Sequence, residues 1–156
     1  MTQKTIKTTN VFHKAYNSTT RITCLQGGTR SSKTYSLCQL FIVKCLEETG
    51  KVFTICRKTL PALKGTAYRD VLNILKELEL YNEANHNKSE LSYTLNGNLI
   101  EFISIDQPQK IRGRKRNYLW LNEANEFDFE SWTQLSLRTT EKIYLDYNPS
   151  DPYSWI

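Results

Sequence analysis

The sequence predicts an α/β fold, a mostly parallel sheet flanked by helices with a β-hairpin inserted into it. Three observations predict it. Residues 21–26 (RITCLQ) read as a strand that runs through the turn GGTRSS into a helix over residues 33–48, closed by Gly50. Strand-like and helix-like apolar periods then alternate along the chain. A further apolar run, NYLWL, ends in the polar pair Asn122 and Glu123, as a buried strand does when it opens onto a site.

The remaining elements follow in order. Residues 51–56 (KVFTIC) form the second strand. A second helix is expected over residues 62–80, where Leu63, Ala67, Val71, Ile74 or Leu75, and Leu78 recur at helical spacing. LSYTL and NLIEF flank Asn96 and Gly97, the strongest short hairpin signal, so an antiparallel hairpin interrupts the α/β pattern. After NYLWL come a short helix over residues 129–137 and a last strand, KIYLDYN. The chain closes on SWI, where another helix would begin, so residues 1–156 are expected to be a partial, truncated domain.

Composition narrows the function classes. With 156 residues, 39% hydrophobic and 24% charged, the chain supports one globular core. The polar start MTQKTIKTTN is no signal peptide, and no run of about 18 apolar residues occurs, which predicts a cytoplasmic protein without a membrane partner. Cys24, Cys38, Cys45 and Cys56 form no CxxC pair and lie far from His13 and His86, which argues against zinc. Of 21 Lys and Arg against 16 Asp and Glu, the whole excess of 5 matches one stretch, KIRGRKR. Its bases Lys110, Arg112, Arg114, Lys115 and Arg116 suit either a local polyanion contact or a solvated loop.

Two motifs carry chemistry. LQGGTRSSKT approaches the phosphate-loop pattern GxxxxGK[ST], with Ser32 in place of the second glycine. In this reading Gly27, Gly28, Thr29, Arg30, Ser31 and Ser32 cradle phosphate with backbone N–H groups, Lys33 reaches the outer phosphates of ATP and the Thr34 hydroxyl holds Mg2+. The rival reading is a capped helix after a tight turn. In NYLWLNEANEF, Asn122 is placed to assist the metal and Glu123 to orient the attacking water as general base. An amide is a weaker partner for a hard cation than an aspartate. The further acids Glu126, Asp128 and Glu130 suit the motif and a helix start.

These residues resemble the ATPase half of the phage large terminase subunit, a P-loop NTPase that drives DNA into a procapsid. The resemblance spans essentially the whole chain. It rests on GGTRSSKT, RKTLPALKGTAYRDV, the basic stretch before YLWLNEANEF, and YLDYNPSDPYSW. It implies ATP hydrolysis with magnesium, double-stranded DNA as partner, contact with a small terminase subunit and a portal, a homo-oligomeric ring, and work in the host cytoplasm. It also implies that KIYLDYN lies between the glutamate strand and the phosphate-loop strand. Asn148 would then act as a γ-phosphate sensor, or simply end its strand with Pro149. Arg30 would serve as a built-in arginine finger, or be a surface arginine. Arg57 matches a basic position of the family whose role is structural, nucleotide-facing or DNA-facing. The nuclease half of such proteins has no counterpart in these residues, so no cleavage is expected. A helicase-like ATPase and a catalytically silent nucleotide- or DNA-binding fragment are the rival functions.

Overall fold

Alternation of apolar residues along the strands decides which helices cover each face of the sheet. The computed structural model describes residues 5–27 and 32–149. The strands are β1 (Ile22–Gln26), β2 (Val52–Arg57), β3 (His86–Asn87), β4 (Ser92–Leu95), β5 (Asn98–Ser104), β6 (Arg116–Leu121) and β7 (Thr139–Tyr147). The helices are α1 (Asn10–Tyr16), α2 (Lys33–Glu47), α3 (Leu60–Leu63), α4 (Arg69–Glu77), α5 (Pro108–Arg112) and α6 (Phe129–Leu137).

The strands form one sheet in the order β1-β7-β6-β2-β5-β4-β3. The first five of that order pair in parallel, and β4 and β3 add on antiparallel. β7 therefore lies between β6 and β1, as the resemblance implied. One face carries Phe53, Ile55, Tyr118, Trp120 and Tyr144 against Phe12 of α1, Leu37 and Phe41 of α2, and Val71 and Leu75 of α4. The ring of Phe41 meets Phe53, Tyr144 and Trp120 edge-on at centroid distances of 5.4, 5.8 and 5.9 Å. The alternate residues Cys56, Leu119, Leu121, Ile143 and Leu145 face the other way, onto Ile111 of α5 and Leu135 of α6. The result is a three-layer arrangement.

Three differences from the sequence reading have physical causes. The expected helix over 62–80 is α3 and α4 joined by a π-helical turn, Lys64–Tyr68, and α4 ends at Glu77. Gly65 within that turn, with its low helix propensity, marks where the winding loosens. The expected hairpin lies within the sheet, where β5 pairs with β2 in parallel and with β4 antiparallel as an interior strand. α1, unforeseen in a polar stretch, is capped by Thr9, whose hydroxyl accepts from the Phe12 N–H at 3.1 Å. The basic run is not one loop; it starts in α5 and ends inside β6.

The hairpin tip also serves α2. Asn96 (φ 53°) and Gly97 (φ 76°) make the left-handed turn that the Asn-Gly pair predicts. The Asn96 and Asn98 side-chain amides donate to the Cys45 and Glu48 carbonyls at 2.8–3.1 Å, satisfying groups that the end of α2 leaves open. Among the described residues, no helix is long and apolar enough to cross a membrane.

Candidate nucleotide site

Parallel strands β1, β7 and β6 end side by side, and the start of α2 lies at that same edge, where ligands of open α/β sheets bind. There a cleft of about 220 Å³ is lined by Ser32, Lys33, Thr34, Tyr35, Asp70, Glu123 and Asn148. Of the residues expected to bind phosphate, Gly28, Thr29, Arg30 and Ser31 lie outside the described residues. Gly27 leaves β1 with its N–H donating to the Tyr147 carbonyl at 3.4 Å. A larger cleft, about 410 Å³ and lined by Glu90, Glu101, Lys110 and Arg114 among others, lies at the hairpin, away from these residues.

Ser32 caps α2 in the left-handed region, at φ 58° and ψ 19°. The conformation for which a phosphate loop ordinarily uses glycine is thus adopted by serine. Lys33, 7% exposed, donates from Nζ to the Gly27 carbonyl at 2.7 Å, which holds its charge at the mouth of the loop. The Thr34 hydroxyl is 3.3 Å from Nδ2 of Asn122.

Asn122 and Glu123 follow β6 directly, with Asn122 buried and Glu123 half-buried. Beneath them, on β7, lies Asp146, 0% exposed. Its carboxylate accepts from Nε1 of Trp120, from Nδ2 of Asn122 at 3.1 Å and from the backbone N–H of Glu123 at 3.2 Å. An ionised carboxylate only accepts, so Asn122 must turn its N–H2 toward Asp146 and hence toward Thr34. Its Oδ1 faces Thr66 instead, 3.4 Å from Oγ1. In this orientation the oxygen of Asn122 points away from Thr34 and its nitrogen toward it.

Glu123 takes φ 54° and ψ 60°, a left-handed backbone uncommon outside glycine. Burial and the nearby Asp146 carboxylate raise its pKa, against the pull of Arg57 and Lys33. Burial also raises Asp146, against its three donors. Arg57 closes this corner, its Nε 3.3 Å from Oε1 of Glu126 and its guanidinium donating to Thr66 Oγ1 at 3.0 Å. The acidic cluster is otherwise structural, since Asp128 caps α6 by accepting from the Ser131 N–H at 2.6 Å and Glu130 sits in the first turn. The Thr34 hydroxyl and the Glu123 carboxylate are hard oxygen donors that suit a magnesium ion completed by phosphate and water.

The basic run divides. Arg112, Arg114 and Lys115 are exposed and Lys110 is partly so; Lys110 and Arg114 approach Glu90 and Glu101 at 3.7 and 3.8 Å. Arg116 is a correction: it is 1% exposed, with Nε donating to Thr54 Oγ1 at 3.0 Å and Nη1 to the Leu135 carbonyl at 3.3 Å. As the first residue of β6 it turns under the sheet, out of reach of a duplex. Sequence reading missed Asp146, Thr66 and Asp70. Asp146 alone left a signal, an acid inside the apolar strand KIYLDYN.

The family model for the phage terminase large subunit matches residues 19–156. No curated protein matches the chain. Among solved structures, the large terminase of a thermophilic bacteriophage superposes with a TM-score of 0.79 at 16% identity, covering 96% of this chain and 41% of that one. The same phage's enzyme in complex with ATP-γ-S gives 0.65, again at 16% identity and with 96% and 40% covered. The large terminase ATPase domain of Thermus phage P74-26 gives 0.71 at 16% identity, with 90% of this chain and 64% of that domain covered. The chain spans about 41% of the length of the full large terminase it matches. By the family match over most of its residues, on a fold these structures share, the chain belongs to the phage terminase large subunit family.

Proposed function

We propose that this chain binds and hydrolyses ATP as the motor part of a DNA-packaging terminase. The observation that carries the reading is convergence. Lys33 and Thr34 from the start of α2, Glu123 from the end of β6 and Asn148 from the end of β7 line one cleft, although 88 residues separate Thr34 from the Asn122 it faces. The complexes of related large terminases with ADP and ATP-γ-S support a nucleotide there.

In this reading the N–H groups at the start of α2 and the loop from Gly27 to Ser32 surround the phosphates, with Arg30 available to the transferring phosphoryl group. Lys33 exchanges the Gly27 carbonyl for phosphate oxygens. The Thr34 hydroxyl, with Asn122 and Glu123 nearby, would hold a magnesium ion, which would supply charge neutralisation on the phosphates. Glu123 orients water and takes its proton, a task that its raised pKa favours. Asn148 senses the γ-phosphate. The exposed bases Lys110, Arg112, Arg114 and Lys115 meet the backbone of double-stranded DNA, and a small terminase subunit, a portal and further copies in a ring are the proposed partners, in the host cytoplasm.

Calorimetry with a slowly hydrolysed ATP analogue tests the assignment. Lys33→Ala is expected to lose binding, whereas Glu123→Gln keeps it, because one residue holds ground-state phosphate and the other acts on the water. Equal loss in both variants would remove Glu123 from its role.

A further inference from the structure

Asp146 is wholly buried, and a carboxylate there is costly unless its position does something an apolar residue could not. Among the described residues, its three donors come from β6 or the exit of β6: Trp120, Asn122 and Glu123. It thus ties the strand that ends in Asn148 to the strand that ends in the general base. The N–H of Glu123 sits in a left-handed residue, where the adjoining strand cannot continue its ladder and a side chain must take the hydrogen bond.

We propose that Asp146 is a positioning residue for ATP hydrolysis: from β7 its carboxylate fixes the backbone of Glu123 and the side-chain amide of Asn122, and so aims both at the cleft. This deepens the ATPase reading and rests on it. Nucleotide hydrolases of this kind carry an aspartate where Asn122 stands. Here the acid and the amide are transposed across neighbouring strands, the amide on the β6 side and the carboxylate on β7, joined at 3.1 Å. Because the carboxylate can only accept, it decides which end of Asn122 faces Thr34 and which faces Thr66. Asp146 itself touches no substrate in this scheme.

The transposition is testable by reversing it. Trp120 and the Glu123 N–H bond to different oxygens of Asp146, so Asp146→Asn keeps an acceptor for only one of them, turns an N–H2 toward the other and toward Asn122, and forces the Asn122 amide over. The expected result is a fall in kcat of about 100-fold, with the Kd for Mg·ATP-γ-S within about threefold of the parent. The double variant Asn122→Asp with Asp146→Asn restores one acid and one amide in contact and should recover turnover to within about tenfold of the parent. Unchanged kcat in Asp146→Asn, a Kd that worsens in step with kcat, or a double variant no faster than Asp146→Asn each overturns the proposal.

A second readout needs no turnover. Hydrogen exchange at the Glu123 amide should be slow in the parent and speed up at least about tenfold in Asp146→Ala. Free exchange at that amide in the parent overturns the positioning role. If the parent releases no phosphate from ATP, the ATPase reading falls, and the exchange result still decides whether Asp146 holds Glu123.

Discussion

Ser32 and Glu123 both stand in the left-handed region, one at each side of the cleft, and neither is glycine. Such a backbone costs an ordinary residue of order 1–2 kcal/mol, held in place by the surrounding structure. For Ser32 the strain is open to a direct check. Ser32→Gly relieves it and gives back about 0.4–1 kcal/mol through greater freedom of the unfolded chain, for a net gain of about 0.5–1 kcal/mol in thermal or denaturant unfolding. A loss of stability would mean that the serine side chain contributes something glycine cannot. At this scale the sequence was legible where chemistry has a local pattern, as in Lys33, Thr34 and Glu123. It was illegible where strand pairing makes the neighbour. Asp146 is 24 residues from Asn122 and meets it only because β6 and β7 lie side by side. Arg116 reads as one more base of KIRGRKR and is withdrawn by its place at the start of β6, where it must turn to one face or the other.

Elements were legible where periodicity or turn chemistry is strong. α6 falls on the expected residues 129–137, and the Asn-Gly turn forms where the pair stands. What the hairpin does was not legible, because its docking on the end of α2 joins segments about 50 residues apart in sequence. Gly97 is where the two requirements meet. Its φ is +76°, and a Cβ there would lie 2.4 Å from Oγ1 of Thr49, a hydroxyl that donates to the Asn96 carbonyl at 2.9 Å. Gly97→Ala should therefore cost about 2 kcal/mol, roughly half from backbone strain and half from the displaced hydrogen bond. Chemical denaturation checks it, and a change under about 0.5 kcal/mol would show that the tip is free to move off α2. The π-helical turn between α3 and α4 brings Thr66 against Asn122 and Arg57, a placement that no helical period in the sequence indicates.

At the scale of the whole molecule, charge and chemistry sit on different parts of the surface. The cleft lies at the ends of β1, β6 and β7, whereas Lys110 and Arg112 lie in α5 and Arg114 and Lys115 between α5 and β6. With Arg116 buried, Lys110, Arg112, Arg114 and Lys115 remain, and four full phosphate contacts would give a salt slope of at most about −3.6 on duplex DNA. Replacing Arg112, Arg114 and Lys115 by alanine should flatten the slope by up to about 2.7 and weaken unrelated sequences alike, leaving nucleotide affinity unchanged. An unaltered slope would place the DNA surface elsewhere. The parallel order β1-β7-β6 brings the acting groups together, and it came from family resemblance rather than from any local signal in the chain.

The claim on which the rest depends is that Glu123 activates water at this cleft. Phosphate release from Mg·ATP, followed across pH for the parent and for Glu123→Gln, tests it most directly. A base works deprotonated, and burial beside Asp146 raises the Glu123 pKa above its ordinary 4.5, so turnover should fall as pH drops through that raised value. In Glu123→Gln the rate should be at least about 100-fold lower and lack that acid limb. Equal rates and equal pH profiles in the two proteins would contradict the account.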